Sequence, residues 1–280
     1  MSDDFLKQMA HGSRARASQA MSRVPYATLA ARAQRLPPPP PLTLSAAGFD
    51  LIAELKLRSP AVGALAAASE DIATRVRAYA QAGAAAVSVL TEPSRFDGSL
   101  EHLERAAHAL AATRVPAMRK DFLVDPYQVL EARVAGAGGV LIILRMLGSG
   151  ELKSLIDCAL RLGMFVLLEA FDAEDLALAH ALVEARRASF APLMLVGVNC
   201  RDLTTLKVIP GRLEQLATLL PPHVRGVAES GVGSAGDAAR VAAAGYELAL
   251  VGSALMSGSD PGALAGEMLV AGRRARAERA

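Results

Sequence analysis

Between residues 51 and 251 the chain repeats one pattern eight times. Short apolar runs rich in Val, Ile and Leu recur at roughly 25–30 residue intervals, the length of a strand plus a helix in a parallel α/β fold. The runs are Leu51–Leu55, Ala85–Leu90, Val115–Met118, Gly139–Leu144, Met164–Leu168, Leu193–Val198, Val224–Ala228 and Leu248–Val251. They show little polar alternation, as expected of strands buried on both faces. Ala-rich helical stretches separate them, and Gly83, Gly136 and Gly245 precede strands as helix C-caps would. Eight such units in one chain predict a closed (β/α)8 TIM barrel rather than an open sheet. With 52% hydrophobic residues and no Trp, the core is expected to be built from Ala, Leu and Val.

The repeat occupies residues 49–280. Residues 1–48 read as an N-terminal helical extension that ends in a connector, Pro37 to Pro41. Five consecutive prolines cannot continue a helix and favour an extended, stiff chain. The expectation is a plain linker. The Arg273, Arg274 and Arg276 cluster reads as the solvated end of a last helix.

Composition narrows the function. A formal net charge of +2 and the absence of basic runs interleaved with aromatics argue against nucleic acid. No uncharged apolar run reaches membrane-spanning length, and no secretory signal is apparent. Cys158 and Cys200 make neither a disulfide framework nor a metal-ligand pair, and the five histidines read as surface or packing residues. The expectation is a cytoplasmic protein without a metal site, with neither nucleic-acid nor membrane partners.

In a barrel the active site is built from the residues that follow the strands. Strand one runs Ile52-Ala53-Glu54-Leu55-Lys56, and residues two apart share a face, so Glu54 and Lys56 stand with Ile52. Strand three ends Met118-Arg119-Lys120-Asp121-Phe122, which sets Lys120 with Met118 and Phe122. Strand five ends at Glu169, strand six at Asn199-Cys200-Arg201, strand seven at Glu229-Ser230-Gly231 and strand eight at Gly252-Ser253. Lysine is scarce, occurring only at positions 7, 56, 120, 153 and 207, yet two of these follow strands. Unlike arginine, a partly buried lysine can exchange its proton near neutral pH. The Gly-Ser pairs after strands seven and eight offer backbone donors where barrels commonly hold phosphate, and residues Ala254 to Met256 read as the start of a short helix favourable to an anion.

These residues resemble the indole-3-glycerol phosphate synthase family. The matching segments are Ile52 to Lys56 with Ser59-Pro60, and Val87 to Pro93 with Phe96 and Gly98-Ser99-Leu100. Further matches are Arg119-Lys120-Asp121-Phe122 with Asp125-Pro126-Tyr127-Gln128 and Glu131-Ala132-Arg133. Gly197-Val198-Asn199 with Arg201 and Leu203, Glu229-Ser230-Gly231, and Gly252 to Met256 with Asp260-Pro261 complete the order. Val62, where the family often carries Lys, and Cys200 depart from the pattern.

The resemblance implies a monomeric enzyme that needs no metal or organic cofactor and converts one small phosphorylated substrate, 1-(2-carboxyphenylamino)-1-deoxyribulose 5-phosphate, to indole-3-glycerol phosphate, with loss of CO2 and water. It implies a catalytic set of Glu54, Lys56, Lys120, Glu169, Asn199 and Ser230, with Lys120 as the acid that protonates the ketone. Substrate would be held by Ser59, on a loop over the site, by Phe96 and Phe122 on the aromatic ring, and by Arg201. Gly231, Gly252 and Ser253, with Ser230, would hold the phosphate. Three alternatives stand beside this reading: a paralogue serving a secondary pathway, a phosphate-binding scaffold without catalysis, and a phosphoribosylanthranilate isomerase. The isomerase would need Cys and Asp as acid and base, but strand one ends in Glu54 and Lys56, and Cys200 lies on strand six.

Overall fold

A computed structural model of the chain describes residues 2–60, 63–65, 71–190, 193–203 and 205–279. Val62 lies outside them. Eight parallel strands close into a barrel: β1 (Asp50–Leu55), β2 (Ala86–Leu90), β3 (Ala117–Lys120), β4 (Gly139–Ile143), β5 (Phe165–Ala170), β6 (Met194–Asn199), β7 (Arg225–Glu229) and β8 (Leu248–Val251). Each strand pairs with its neighbours in sequence, and β1 closes the ring on β8 with Asp50 opposite Leu248.

Side-chain alternation explains why the runs are apolar throughout. Ile52, Ala86, Met118, Leu141, Leu167, Leu195, Val227 and Leu250 fill the interior. Their strand neighbours, among them Leu51, Ala53, Val87, Val140, Leu168, Val196 and Val251, pack in a second core with helical residues such as Val76, Leu103, Leu155 and Val241. The helices begin at side-chain caps. Asp71, Ser99, Asp125, Asp172, Ser234 and Asp260 each accept a backbone N–H, which satisfies donors that a helix start leaves open. Gly83, Gly136 and Gly245 all take positive φ, as expected of helix terminators.

The extension forms α1 (Ser2–Arg23) and α2 (Tyr26–Arg35), broken at Pro25. Leu6 and Met9 of α1 are buried in the interior cluster, and the Phe5 ring meets Phe122 edge-on with centroids 5.9 Å apart. Arg16 Nη2 lies 2.8 Å from Asp121 Oδ1, and Gln128 donates to Ser13 Oγ at 2.8 Å. Thus α1 sits at the mouth.

The proline connector is not a free linker. Pro39 is buried, the Pro37 carbonyl accepts from Arg133, and Leu42 and Leu44 pack on the interior cluster. The C-terminal arginines also depart from expectation. Arg273 donates to Phe49 O at 3.0 Å and Asp50 Oδ1 at 3.1 Å, and Arg276 to Gly245 O at 3.2 Å; only Arg274 is left largely in solvent, 81% exposed. A cluster read as one solvated face is in fact two ties to the barrel and one exposed arginine, Arg274, whose Nε donates to Glu278 Oε1 at 3.0 Å. Among the described residues no helix is long and apolar enough to cross a membrane.

Candidate active site

The strand ends converge on a cavity of about 440 Å³ at the mouth. Glu54, Lys56, Ser59, Phe96, Lys120, Phe122, Glu169, Asn199, Arg201, Ser230, Gly231, Gly252 and Ser253 all line it. Every residue singled out as a site candidate is therefore brought to one place. Among the residues not singled out that join them is Glu229, the last residue of β7.

Two charged groups organise the floor. In the first, Lys120 Nζ stands 3.2 Å from Glu169 Oε1 and 3.3 Å from Glu229 Oε2. Asn199 Nδ2 donates to the same Glu169 oxygen at 2.9 Å, and Asn199 Oδ1 accepts the Arg201 N–H at 2.9 Å. Strands β3, β5, β6 and β7 thus each contribute one member. In the second, Lys56 Nζ lies 2.6 Å from Glu54 Oε1, an ion pair from the end of β1.

Burial sets the protonation of the first group. It disfavours a charged Lys120, but Glu169, Glu229 and Glu54 overcome that and hold its pKa above the ordinary lysine value. The ammonium is therefore kept charged at neutral pH. For Glu229, burial pushes the carboxyl pKa well above the usual range; Lys120 opposes the shift and Glu169 adds to it. Its Oε1 is buried and accepts no hydrogen bond among the described residues. The arrangement is one cation between two carboxyl groups, of which Glu229 resists ionisation.

Two glycines make room for these carboxylates. A Cβ at Gly197 on β6 would collide with Glu229 Oε1. A Cβ at Gly252 would collide with Glu54 Oε1 and stand 3.1 Å from Lys56 Nζ. Gly252 therefore borders the Glu54–Lys56 pair as well as the loop read as an anion site. The β7 loop turns sharply, with Ser230 at φ 66° and Gly231 at φ 68°; a left-handed non-glycine residue is uncommon and concentrates at functional sites.

The walls are mixed. Phe96 and Phe122 have ring centroids 6.1 Å apart. Phe171, two residues beyond Glu169, is buried, lines the cavity and carries the Arg145 guanidinium 4.7 Å from its ring centroid. Ser59 belongs to a short antiparallel ladder, Arg58–Ser59 with Gly63–Ala64, and is buried. The Arg201 guanidinium donates to the Leu206 carbonyl of its own loop at 2.6 Å.

Glu229 carried a legible signal: it falls two residues after inward-facing Val227, directly after an apolar run. The network behind Lys120 carried none. Arg119 donates to Thr91 Oγ1, Asp121 Oδ2 and the Gln128 carbonyl at 3.1, 3.1 and 2.8 Å, and Arg16 reaches Asp121 from 105 residues away.

Solved structures with this fold include a 3-hexulose-6-phosphate synthase from Salmonella typhimurium. It has a TM-score of 0.59 at 14% identity, with 83% of this chain and 100% of that chain covered. An orotidine 5'-phosphate decarboxylase from Pyrococcus horikoshii OT3 gives 0.56 at 12% identity, covering 80% and 99%. At such identities the likeness shows the fold alone. Sequence relatives say more. The protein named indole-3-glycerol phosphate synthase in Mycobacterium ulcerans is 42% identical over 238 residues, 84% of this chain and 83% of that one. Its namesake in Parafrankia sp. is 40% identical over 269 residues, 95% and 96% of the two chains. The family model for indole-3-glycerol phosphate synthase matches residues 6–268. By fold, by sequence and by the reach of that match, the chain belongs to the indole-3-glycerol phosphate synthase family.

Proposed function

We propose that the protein closes and decarboxylates 1-(2-carboxyphenylamino)-1-deoxyribulose 5-phosphate to give indole-3-glycerol phosphate, CO2 and water. The observation that carries the reading is Lys120, held charged between Glu169 and Glu229 on the floor of a cavity with partly aromatic walls.

The chemistry asks for an acid, a base and a way to hold two anionic ends. The ring carbon bearing the carboxylate attacks the ketone carbon, forming the new C–C bond. The ketone oxygen becomes an alkoxide, a stronger base than an amine, and takes the Lys120 proton. A cation fixed beforehand at that oxygen stabilises the charge as it develops. The C–C bond to the carboxylate breaks, CO2 leaves, and its electron pair restores the ring. The Glu54–Lys56 pair then serves dehydration: the new hydroxyl leaves as water with a proton from Lys56, and a carboxylate removes the proton whose loss completes the indole. Glu169 stabilises the cationic intermediate between these steps, with Asn199 orienting it. Phe96 and Phe122 flank the aromatic ring. Arg201 and Ser59 orient the substrate, and Ser230, Gly231, Gly252 and Ser253 take the phosphate.

Residues 1–48 and the barrel of residues 49–280 act together, because Phe5 and Leu6 of α1 line the same cavity. All these groups come from one chain, in keeping with a monomer, and the buried free thiols Cys158 and Cys200 suit a reducing cytoplasm. The test is direct. Mixing the protein with the anilino-deoxyribulose phosphate should release a fluorescent indole product. Absence of turnover would favour a scaffold without catalysis.

A further inference from the structure

Behind the proposed phosphate loop stands Arg240, on the helix Ala235–Ala244 that follows β7. Its Nη2 lies 3.4 Å from the Gly231 carbonyl oxygen and 3.2 Å from Asp237 Oδ1, while its Nη1 pairs with Glu214. Asp237 in turn accepts the Gly233 N–H at 3.1 Å and the Ser234 hydroxyl at 2.8 Å. One arginine–aspartate pair thus grips the loop at two peptides, 231 and 233.

We propose that Arg240 is a positioning residue for the phosphate of the substrate, acting through Gly231 and Asp237 rather than by contact. Two effects follow from the geometry, both resting on the phosphate reading above. The carbonyl and N–H of a planar trans peptide point in opposite directions. Turning the Gly231 carbonyl toward Arg240 turns the Val232 N–H away from it, and Gly231, Val232 and Gly233 all line the cavity. The same contact steadies the left-handed pair Ser230 and Gly231. The second effect is charge. Asp237 lines the cavity, and an uncompensated carboxylate there would repel a phosphate. Arg240, 3.2 Å from Asp237 and shared with Glu214, reduces that repulsion.

The test compares parent, Arg240→Ala and Arg240→Lys. Arg240→Ala should raise KM roughly 5- to 10-fold, the size expected for losing a charge-assisted contact that is partly exposed, and leave kcat within about twofold. Inhibition by inorganic phosphate should weaken by the same factor. Arg240→Lys keeps the charge but not the fork that reaches Gly231, Asp237 and Glu214 together, so it should recover only part of the loss. If Arg240→Ala unfolds, the lysine variant still reads out, with KM raised and kcat kept. Unchanged KM and unchanged phosphate inhibition in both variants would overturn the proposal. So would a fall in kcat with KM intact. A parent that forms indole but is not inhibited by inorganic phosphate would instead overturn the phosphate reading on which it rests.

Discussion

Lys120 and Glu229 face each other across 3.3 Å at the floor of the barrel mouth, a lysine that holds its proton against a carboxyl that resists losing one. The pair explains how an acid is kept loaded in an apolar barrel. The ammonium donates to Glu169 at 3.2 Å, and Glu229, which resists ionisation, adds a second partner.

If Lys120 supplies the proton for ring closure, Lys120→Ala should lower kcat by roughly 10²–10⁴, the usual range for a positioned acid. Lys120→Arg should not rescue it, since a planar guanidinium fork does not reproduce the compact ammonium held between Glu169 and Glu229. Lys153→Ala, on the exposed face of the helix Ser149–Arg161, is the control. Single-turnover indole formation is the measurement. A parental rate for Lys120→Ala would move the acid role to Lys56.

Glu229 makes stability depend on pH. Its folded pKa is raised, so the folded state retains a proton that the unfolded chain releases above about pH 4.5. The parent should therefore lose stability relative to Glu229→Gln as pH rises from about 4.5 toward the folded pKa. Below that window both forms are neutral and the difference levels off. Urea unfolding of the two proteins at pH 4, 5.5 and 7 reads this out. A parent that gains stability relative to Glu229→Gln as pH rises would contradict the assignment.

Gly197 and Gly252 are spacers for carboxylates. Gly252→Ala should displace Glu54, and Gly197→Ala should displace Glu229, because each new Cβ enters the space of a carboxylate oxygen. A displacement of about 1 Å in a catalytic group can lower the rate on the order of 10²-fold. Gly252→Ala is thus expected to lower kcat as well as raise KM. An effect confined to KM would assign Gly252 to phosphate alone.

Arg145 stacks on Phe171 and bonds to Asp175 through Nε at 2.8 Å, and Asp175 accepts the Phe171 N–H at 2.8 Å. Arg145→Ala removes the stack and leaves a buried carboxylate without its counter-charge. A loss of about 1–2 kcal/mol is expected, seen as a fall in Tm of roughly 2–6 °C for a chain of this size. Unaltered melting would mean that Phe171 is held by its other neighbours.

The parts legible in the sequence were those governed by local periodicity. Alternation along Ile52-Ala53-Glu54 and Met118-Arg119-Lys120 sends alternate residues into the barrel, so the strands, their direction and the site at their ends could be read from the chain. What escaped depends on packing between distant segments. Nothing near Arg16 announces Asp121, nothing near Arg240 announces the Gly231 carbonyl, and Pro39 looks like spacer until Gly163 is beside it. Glu229 lies between these cases, since the alternation that pointed to Lys120 also pointed to it.

The amino-terminal segment has a consequence for the order in which the molecule is made. Residues 1–48 leave the ribosome before the barrel does, yet Ser13 binds Gln128 across 115 residues, Arg16 binds Asp121 across 105, and Pro37 receives Arg133 across 96. None of those partners exists until well over a hundred residues have been synthesised. The segment must wait undocked while the strands that will receive it emerge, and closing such long loops is slow. Assembly of the barrel mouth is then a late event: a part of the polypeptide made before the barrel is among the last to find its place.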